Sequence, residues 1–218
     1  MRRVDLGDLR RLQPIGAHFG SARGRPVDRH YIEAFLGERR EAVRGRVLEI
    51  GHDAYTVRFG GERVERSDVL HLDDSNPRAT FVGDLTNAPQ VPSDAFDCVI
   101  LTQVLHLIFD TAAALRTVHR ILKPGGTVLA SFPGISQTSE HLWDRNWCWS
   151  FTAAGARRMF GELFAGENVH VEARGNALAA TAFLHGIAAQ ELSEAELDAS
   201  DPGFELVVLV AAVKGAGA

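Results

Sequence analysis

The feature that most constrains the fold is a short apolar run that ends in a glycine. Val47, Leu48 and Ile50 surround the acidic Glu49, and Gly51 follows directly. This composition is typical of a buried parallel strand in an α/β protein, where the turn behind the strand lies at the ligand-binding edge of the sheet. The run therefore predicts a first strand with a binding site at its carboxyl end.

Length, hydropathy and charge limit the class of protein. The 218 residues are enough for one α/β domain with a sizeable core. No apolar run reaches the roughly 18 residues of a membrane span, and the first residues lack a hydrophobic signal core, so we expect a cytoplasmic protein without membrane contact. The formal net charge of -5 disfavours a nucleic-acid partner held through its phosphates and favours a small molecule.

The two cysteines do not have the spacing of a zinc site or of a disulfide framework. Cys98 falls in an apolar run, and Cys148 lies among tryptophans. Isolated cysteines of this kind are most often reduced and structural. No metal site is therefore predicted.

Predicted strands and helices alternate along the rest of the chain. Residues 1–44 are expected to form a loose arginine- and glycine-rich arm and a helix capped by Asp28, and residues 45–218 the α/β domain, with a substrate-facing connection at about 135–151. Further strands are predicted near residues 63–70, 79–86, 96–102, 127–132, 169–173 and 204–211. Further helices are predicted near residues 111–122, 152–164 and 176–192, and only a turn or two fits after the first strand. This order predicts a doubly wound, seven-stranded, mostly parallel sheet whose last strand is antiparallel.

Three later motifs combine with the first one. They are an acid after the second strand, an Asp-Leu pair after the third strand with a Phe-Asp that opens the fourth, and a helix that ends in Leu-Lys-Pro-Gly-Gly before the fifth. These motifs stand at Asp68, at Gly83-Asp84-Leu85 with Phe96-Asp97, and at residues 122–126. Over about residues 45–135 the chain resembles the class I S-adenosylmethionine-dependent methyltransferases, of the type that acts on sugars and natural products. The resemblance implies a Rossmann-like fold and S-adenosylmethionine as cofactor.

The resemblance also assigns roles to the turn after the first strand. It places the methionine end of the cofactor against Gly51, with Glu49 buried beneath the turn. The family pattern is Gly-x-Gly-x-Gly, whereas this chain has Asp53 and Tyr55 at the second and third glycine positions. Glycine serves there because the backbone approaches the ligand closely and adopts positive φ. Asp53 is expected to accept a hydrogen bond from the ammonium group of the cofactor.

The adenosine end is assigned to the next two strand ends. By the resemblance, Asp68 accepts hydrogen bonds from the ribose hydroxyls, and Val69 lies beside it in the cofactor site. Asp84 accepts from the exocyclic amine of adenine, and the backbone of Leu85 recognises the ring edge. For each of the acids the alternative is an ordinary strand-end or turn residue.

The acceptor side is assigned to the ends of the fourth and fifth strands. Thr102 and Gln103 are expected to border the sulfonium, and His106 and His141 are the candidate general bases. A histidine on an apolar run such as that around His106 can equally be a core residue. The connection at about residues 135–151 contains Trp143, Trp147 and Trp149. These tryptophans either fix a loop to the sheet or stack on the substrate. A hydroxyl acceptor is the first expectation, ahead of nitrogen or carbon.

Two other functions remain open from the sequence. A nucleotide-sugar or dinucleotide enzyme would use Asp68 for ribose, but Gly51 stands without the further glycines that hold a pyrophosphate. A noncatalytic binding or scaffold protein with the methyltransferase fold would explain the altered glycine loop. Stabilisation by S-adenosylhomocysteine or by NAD distinguishes the three possibilities.

Overall fold

The computed structural model describes residues 5–138 and 146–216. Its strands are β1 (Gly45–Ile50), β2 (Val64–His71), β3 (Phe81–Val82), β4 (Phe96–Thr102), β5 (Leu122–Pro133), β6 (Val169–Arg174) and β7 (Val207–Val213). Its helices are α1 (Val27–Glu38), α2 (Thr111–Ile121), α3 (Ala153–Gly161), α4 (Ala177–Leu184) and α5 (Glu194–Asp198).

The seven strands form one sheet in the order β3-β2-β1-β4-β5-β7-β6. Strands β1 to β5 pair in parallel, and β7 lies antiparallel between β5 and β6. The chain reverses its direction of strand addition between β1 and β4, which is where an open α/β sheet binds its ligand. The predicted doubly wound, Rossmann-like fold with an antiparallel last strand is confirmed.

The sheet is covered on both faces by a hydrophobic layer. One layer holds α2 and α3 against β4 and β5, and the other holds α1 and α4. Helix α2 shows why the sequence folds this way: Leu115 and Val118 on its inner face are fully buried, each stabilising the fold by roughly 2 kcal/mol. Asp110 caps this helix by accepting from Ala113 N at 2.8 Å.

The amino-terminal arm is less loose than predicted, because its part from residue 15 onward is held against the domain. Ile15 N and Gly16 N both donate to His185 O at 2.9 Å, and Ala189 N donates to Arg25 O at 2.7 Å. A Cβ on Gly16 would lie 2.2 Å from the carbonyl oxygen of Gly186, so only glycine permits this close contact. This part of the arm is therefore docked on the segment that follows α4.

Several element boundaries differ from the predictions. Helix α1 begins after Pro26, which has no side-chain cap, and Asp28 lies in its first turn. The helix predicted to reach residue 192 ends at Leu184, because Gly186 adopts φ +64. The third strand is only two residues long, and β5 begins at Leu122 rather than 127. The expected short crossover after β1 is a π-helical turn, Thr56–Gly60.

Candidate active site

The carboxyl ends of the parallel strands form one continuous edge. Backbone hydrogen bonds of 2.9 Å link Gly51 N to Leu70 O, Gly83 N to His71 O, and Gln103 N to Ser131 O. These bonds hold the turns after β1, β2 and β3 side by side, and the pairing of β1 with β4 brings the turn after β4 to the same edge. This edge contains most of the residues that the sequence assigned to a site.

Glu49 holds the turn after β1. Its side chain is fully buried, and Oε2 accepts from the backbone nitrogen of Thr56 at 2.7 Å and from its hydroxyl at 2.8 Å. Oε1 accepts from Tyr55 N at 3.3 Å and lies 2.9 Å from His52 Nδ1. A buried carboxylate thus satisfies the amides at the start of the short crossover turn. Its predicted position beneath the turn is confirmed.

The neighbours of Glu49 complete the turn. The hydrogen bond to Glu49 raises the pKa of His52, whose side chain is 60% exposed. The ring of Tyr55 packs 5.8 Å from that of Phe59 in the core layer beside α1, and burial raises the pKa of its hydroxyl. The residue at the third glycine position therefore contributes to the core.

Gly51 adopts a backbone conformation that favours glycine. Its φ is +89, and a Cβ built at this position would meet no heavy atom within 4 Å. Asp53 differs from the expectation, because its carboxylate forms an ion pair with Arg78. That partner competes with any ammonium group, so the role predicted for Asp53 stays a prediction.

The predicted placement of Asp68 at the end of the second strand is wrong. Strand β2 continues for three residues beyond it, to His71, and Asp68 is fully buried opposite Leu48. Its carboxylate lies 2.7 Å from Arg46 Nε and 3.0 Å from Arg66 Nε. Asp68 therefore neutralises two arginines within the sheet.

Val69 is also part of the strand. It is buried in β2, where its nitrogen donates to Thr80 Oγ1 at 2.9 Å and its carbonyl accepts from Thr80 N at 3.0 Å. These bonds satisfy the backbone groups that a ligand would otherwise use. The structure does not bring Val69 to the edge where the other site residues meet.

The sequence reasoning missed the residues that follow β2. Asp73 comes two positions after the strand and accepts from Ser75 N at 3.0 Å and Ser75 Oγ at 2.5 Å. These bonds hold the pKa of Asp73 below its usual range. Asn76 Nδ2 donates to Gly51 O at 2.8 Å and so joins this turn to the one after β1. The turn signal at residues 73–77 was visible in the sequence, but its acid was not assigned.

Asp84 and Leu85 lie after the short strand β3. Asp84 is exposed, and its Oδ1 accepts from Thr86 N at 2.8 Å, as a turn acid does. Leu85 is buried beside it. The structure places both at the binding edge, and their contacts with adenine stay predictions.

Residues after β4 border the other half of the edge. Thr102 is the last residue of β4, and Gln103 adopts φ +53, which is uncommon for a residue with a side chain. His106 is only 4% exposed, and its Nδ1 has no hydrogen-bond partner among the described residues. Burial, assisted by Arg29, lowers the pKa of His106 to about 4. The ring of Trp147 lies 4.3 Å away.

One candidate residue lies outside the described part of the chain, and two kinds of feature were not found within it. His141, the second candidate base, lies outside residues 5–138 and 146–216. Within those ranges no group of three or more histidine, cysteine or acidic side chains is arranged to hold a metal ion. None of the helices in the same ranges has the length and hydropathy needed to cross a membrane.

Comparison with known proteins places these residues in a family context. The family model described as a methyltransferase domain matches residues 41–130. Two similar curated proteins are the ubiquinone/menaquinone biosynthesis C-methyltransferases UbiE of Pectobacterium carotovorum and Pectobacterium atrosepticum, 30% and 32% identical over 98 residues. The matched region is 44% of this chain, and the chain spans only 37% of the length of these relatives.

Solved structures share the fold over nearly the whole chain. The N-methyltransferase NodS from Bradyrhizobium japonicum, in complex with S-adenosylhomocysteine, is 15% identical with a TM-score of 0.56, covering 92% of this chain and 94% of that chain. The [4+2]-cyclase SpnF is also 15% identical, with a TM-score of 0.57, covering 94% of this chain and 87% of that chain. At these identities the likeness shows a common fold.

Proposed function

We propose that this chain, a member of the class I S-adenosylmethionine-dependent methyltransferases through the domain at residues 41–130, methylates a small molecule. The family and its cofactor, both predicted from the motifs, are confirmed by the domain match. When bound, the cofactor supplies a methyl group on a positively charged sulfur. The reaction and the acceptor are proposals, since the matched relatives are much longer than the matched region.

One observation carries the proposal. Gly51 keeps a positive φ and open space at the edge of the sheet, on the same side as the turns after β2 and β3, which present Asp73 and Asp84. Two exposed acids and an accessible backbone suit a nucleoside with ribose hydroxyls and an exocyclic amine. We assign the ribose to Asp73, in place of Asp68, and the adenine to Asp84 and the backbone of Leu85. The residues present therefore fit the cofactor.

The acceptor is assigned to the side of His106. Because its pKa is about 4, His106 is neutral at physiological pH, and its unpartnered Nδ1 can accept a hydrogen bond from a hydroxyl group. A base of that strength orients an ordinary alcohol but does not readily remove its proton. An acidic hydroxyl, such as a phenol or an enol, is the acceptor that this histidine suits best. Methyl transfer then depends on positioning and on the exclusion of water.

A carbon acceptor is the second candidate. It is favoured by the two curated relatives, which are C-methyltransferases. An enol or phenol presents a nucleophilic carbon beside its hydroxyl, so the same hydrogen bond to His106 serves both outcomes. Mass and proton spectra of the product separate an added O-methyl from a C-methyl group.

A thermal-shift titration tests the proposed cofactor. S-adenosylhomocysteine at a hundred times its Kd should stabilise the protein by about 2.7 kcal/mol, and NAD should leave the melting temperature unchanged. A shift with NAD alone would support a dinucleotide enzyme instead. No shift with either compound would support a noncatalytic protein with this fold.

A further inference from the structure

Two buried polar atoms lie close together beyond β4, and neither has a hydrogen-bond partner among the described residues. One is Nδ1 of His106, a residue that is only 4% exposed. The other is the indole nitrogen Nε1 of Trp147. The centroids of the two rings are 4.3 Å apart, with the ring planes inclined by 56°. Most buried polar groups in folded proteins are hydrogen-bonded, so a neighbouring acceptor and donor that do not bond each other indicate a ligand that bonds both.

Backbone contacts hold Trp147 beside His106. The carbonyl oxygen of His106 accepts from Cys148 N at 2.8 Å and from Trp149 N at 3.2 Å. The indole Nε1 of Trp149 donates to Ile108 O at 3.1 Å. The segment that carries Trp147 is therefore bound directly to the segment that follows β4.

The amino-terminal arm contributes a third ring. The ring of Phe19 stacks on that of Trp147 at 6.3 Å, and on its other neighbour, Phe183 of α4, at 5.7 Å. Phe19 adopts φ +59, which is a strained conformation for a bulky residue. Such strain persists only where the surrounding structure enforces it, and it is concentrated at functional sites. The arm thus holds a ring against the tryptophan that lies beside His106.

We infer that Phe19, Trp147 and His106 form an aromatic wall that binds a phenol as the methyl acceptor. The phenolic hydroxyl donates to Nδ1 of His106 and accepts from Nε1 of Trp147, because a hydroxyl group donates and accepts at once. Three neighbouring rings favour a flat aromatic partner over an aliphatic enol. The assignment rests on the proposed function and narrows its acceptor to one class, with Phe19 and Trp147 as the residues that determine specificity.

The indole proton of Trp147 reports on this contact directly. Three tryptophans give three indole signals in a ¹⁵N-labelled protein, and the signal of Trp147 is the one missing from Trp147→Phe. When 2-naphthol is added to the complex with S-adenosylhomocysteine, this signal should move downfield as its N–H gains an acceptor. The signal of Trp149 is the internal control and should stay in place, since its N–H is already bonded to Ile108 O.

Two further probes separate the hydroxyl from the rings. The first is 2-methylnaphthalene, which keeps the rings without the hydroxyl. The second is decahydro-2-naphthol, which keeps the hydroxyl without aromatic rings. Each should bind at least about fivefold more weakly than 2-naphthol.

Three variants test the wall. Trp147→Phe keeps a ring but removes the N–H, so it should weaken 2-naphthol about five- to tenfold and leave S-adenosylhomocysteine within about twofold. Phe19→Leu keeps apolar bulk without a ring, so it should weaken 2-naphthol about threefold and leave decahydro-2-naphthol unchanged. Trp149→Phe removes an indole N–H outside the wall, and it is the matched control that should change neither affinity.

The outcomes separate the aromatic wall from the function. An unmoved Trp147 signal up to the solubility limit of 2-naphthol, or equal affinity for 2-methylnaphthalene, would overturn the wall and leave the proposed function standing. An equal loss of 2-naphthol and S-adenosylhomocysteine in Trp147→Phe would also overturn it, since it would indicate a structural role. Failure of the wild-type protein to bind S-adenosylhomocysteine would overturn the function and the wall together. If a variant does not fold, the wild-type titration with sequentially assigned indole signals decides.

Discussion

The turn after β1 and the turn after β3 reach the same edge of the sheet but are held in different ways. The first is held from below by Glu49, a fully buried carboxylate that accepts from two backbone amides. The second is held by Asp84, which is exposed and binds only its own turn. Glu49 therefore has a structural role in holding its turn, whereas the carboxylate of Asp84 is available to a ligand.

The largest effect is expected at Glu49. Glu49→Gln replaces a buried charged acceptor and disrupts the bonds to Thr56 and His52, so the free energy of unfolding should fall by about 3 kcal/mol. Urea denaturation measures the change, with Glu62→Gln at an exposed site as the control. If the free energy of unfolding fell by less than about 1 kcal/mol, Glu49 would not stabilise its turn more than Asp84 does, which would contradict the comparison.

Asp68 extends the comparison to an acid that serves folding alone. Asp68→Asn breaks a buried ion pair with Arg46 and should cost about 2 kcal/mol of stability, less than for a fully buried pair because both arginines reach solvent. The affinity for S-adenosylhomocysteine should stay within about twofold when measured below the unfolding transition. A stable variant that no longer binds would restore the ribose role to Asp68.

The exposed acids should show the opposite pattern. Asp84→Ala should weaken S-adenosylhomocysteine about tenfold, while the free energy of unfolding changes by no more than about 1 kcal/mol, the worth of one turn hydrogen bond. Asp73→Asn should behave similarly, and Asp74→Asn, at the adjacent exposed acid, is the control. Unaltered affinity in both Asp84→Ala and Asp73→Asn would overturn the adenosine assignment.

The smallest effect is expected from the pH dependence at His52. Its pKa is raised in the folded protein, so the pair with Glu49 contributes its full stability below the usual value of 6.5 and loses it as pH rises through the raised value. Wild type should therefore exceed His52→Gln in stability at pH 6, by no more than about 1 kcal/mol since the ring is largely exposed, and the gap should close by pH 9. A gap that widens with pH would contradict the pairing.

Much of the fold was predictable because its signals are local. Strand β4 is a nearly continuous apolar run, and α2 combines an apolar stripe with an acid cap and a stop at Pro124. The position of Glu49 beneath the turn, by contrast, followed from the resemblance to the methyltransferase family. For β4 and α2, neighbouring residues alone specify the structure.

The errors concern features that depend on distant residues. In the sequence Asp68 resembles an acid at the end of a strand. In the fold it pairs with Arg46 of β1, and β2 continues past it to His71. The docking of the arm depends on Gly186, 170 positions after Gly16.

The most direct measurement is a crystal structure with S-adenosylhomocysteine bound. The account predicts a nucleoside across the carboxyl edge, with adenine at Asp84, ribose at Asp73 and the sulfur near Gly51. A nucleoside bound against Asp68, or an edge without a nucleoside at saturating concentration, would contradict it.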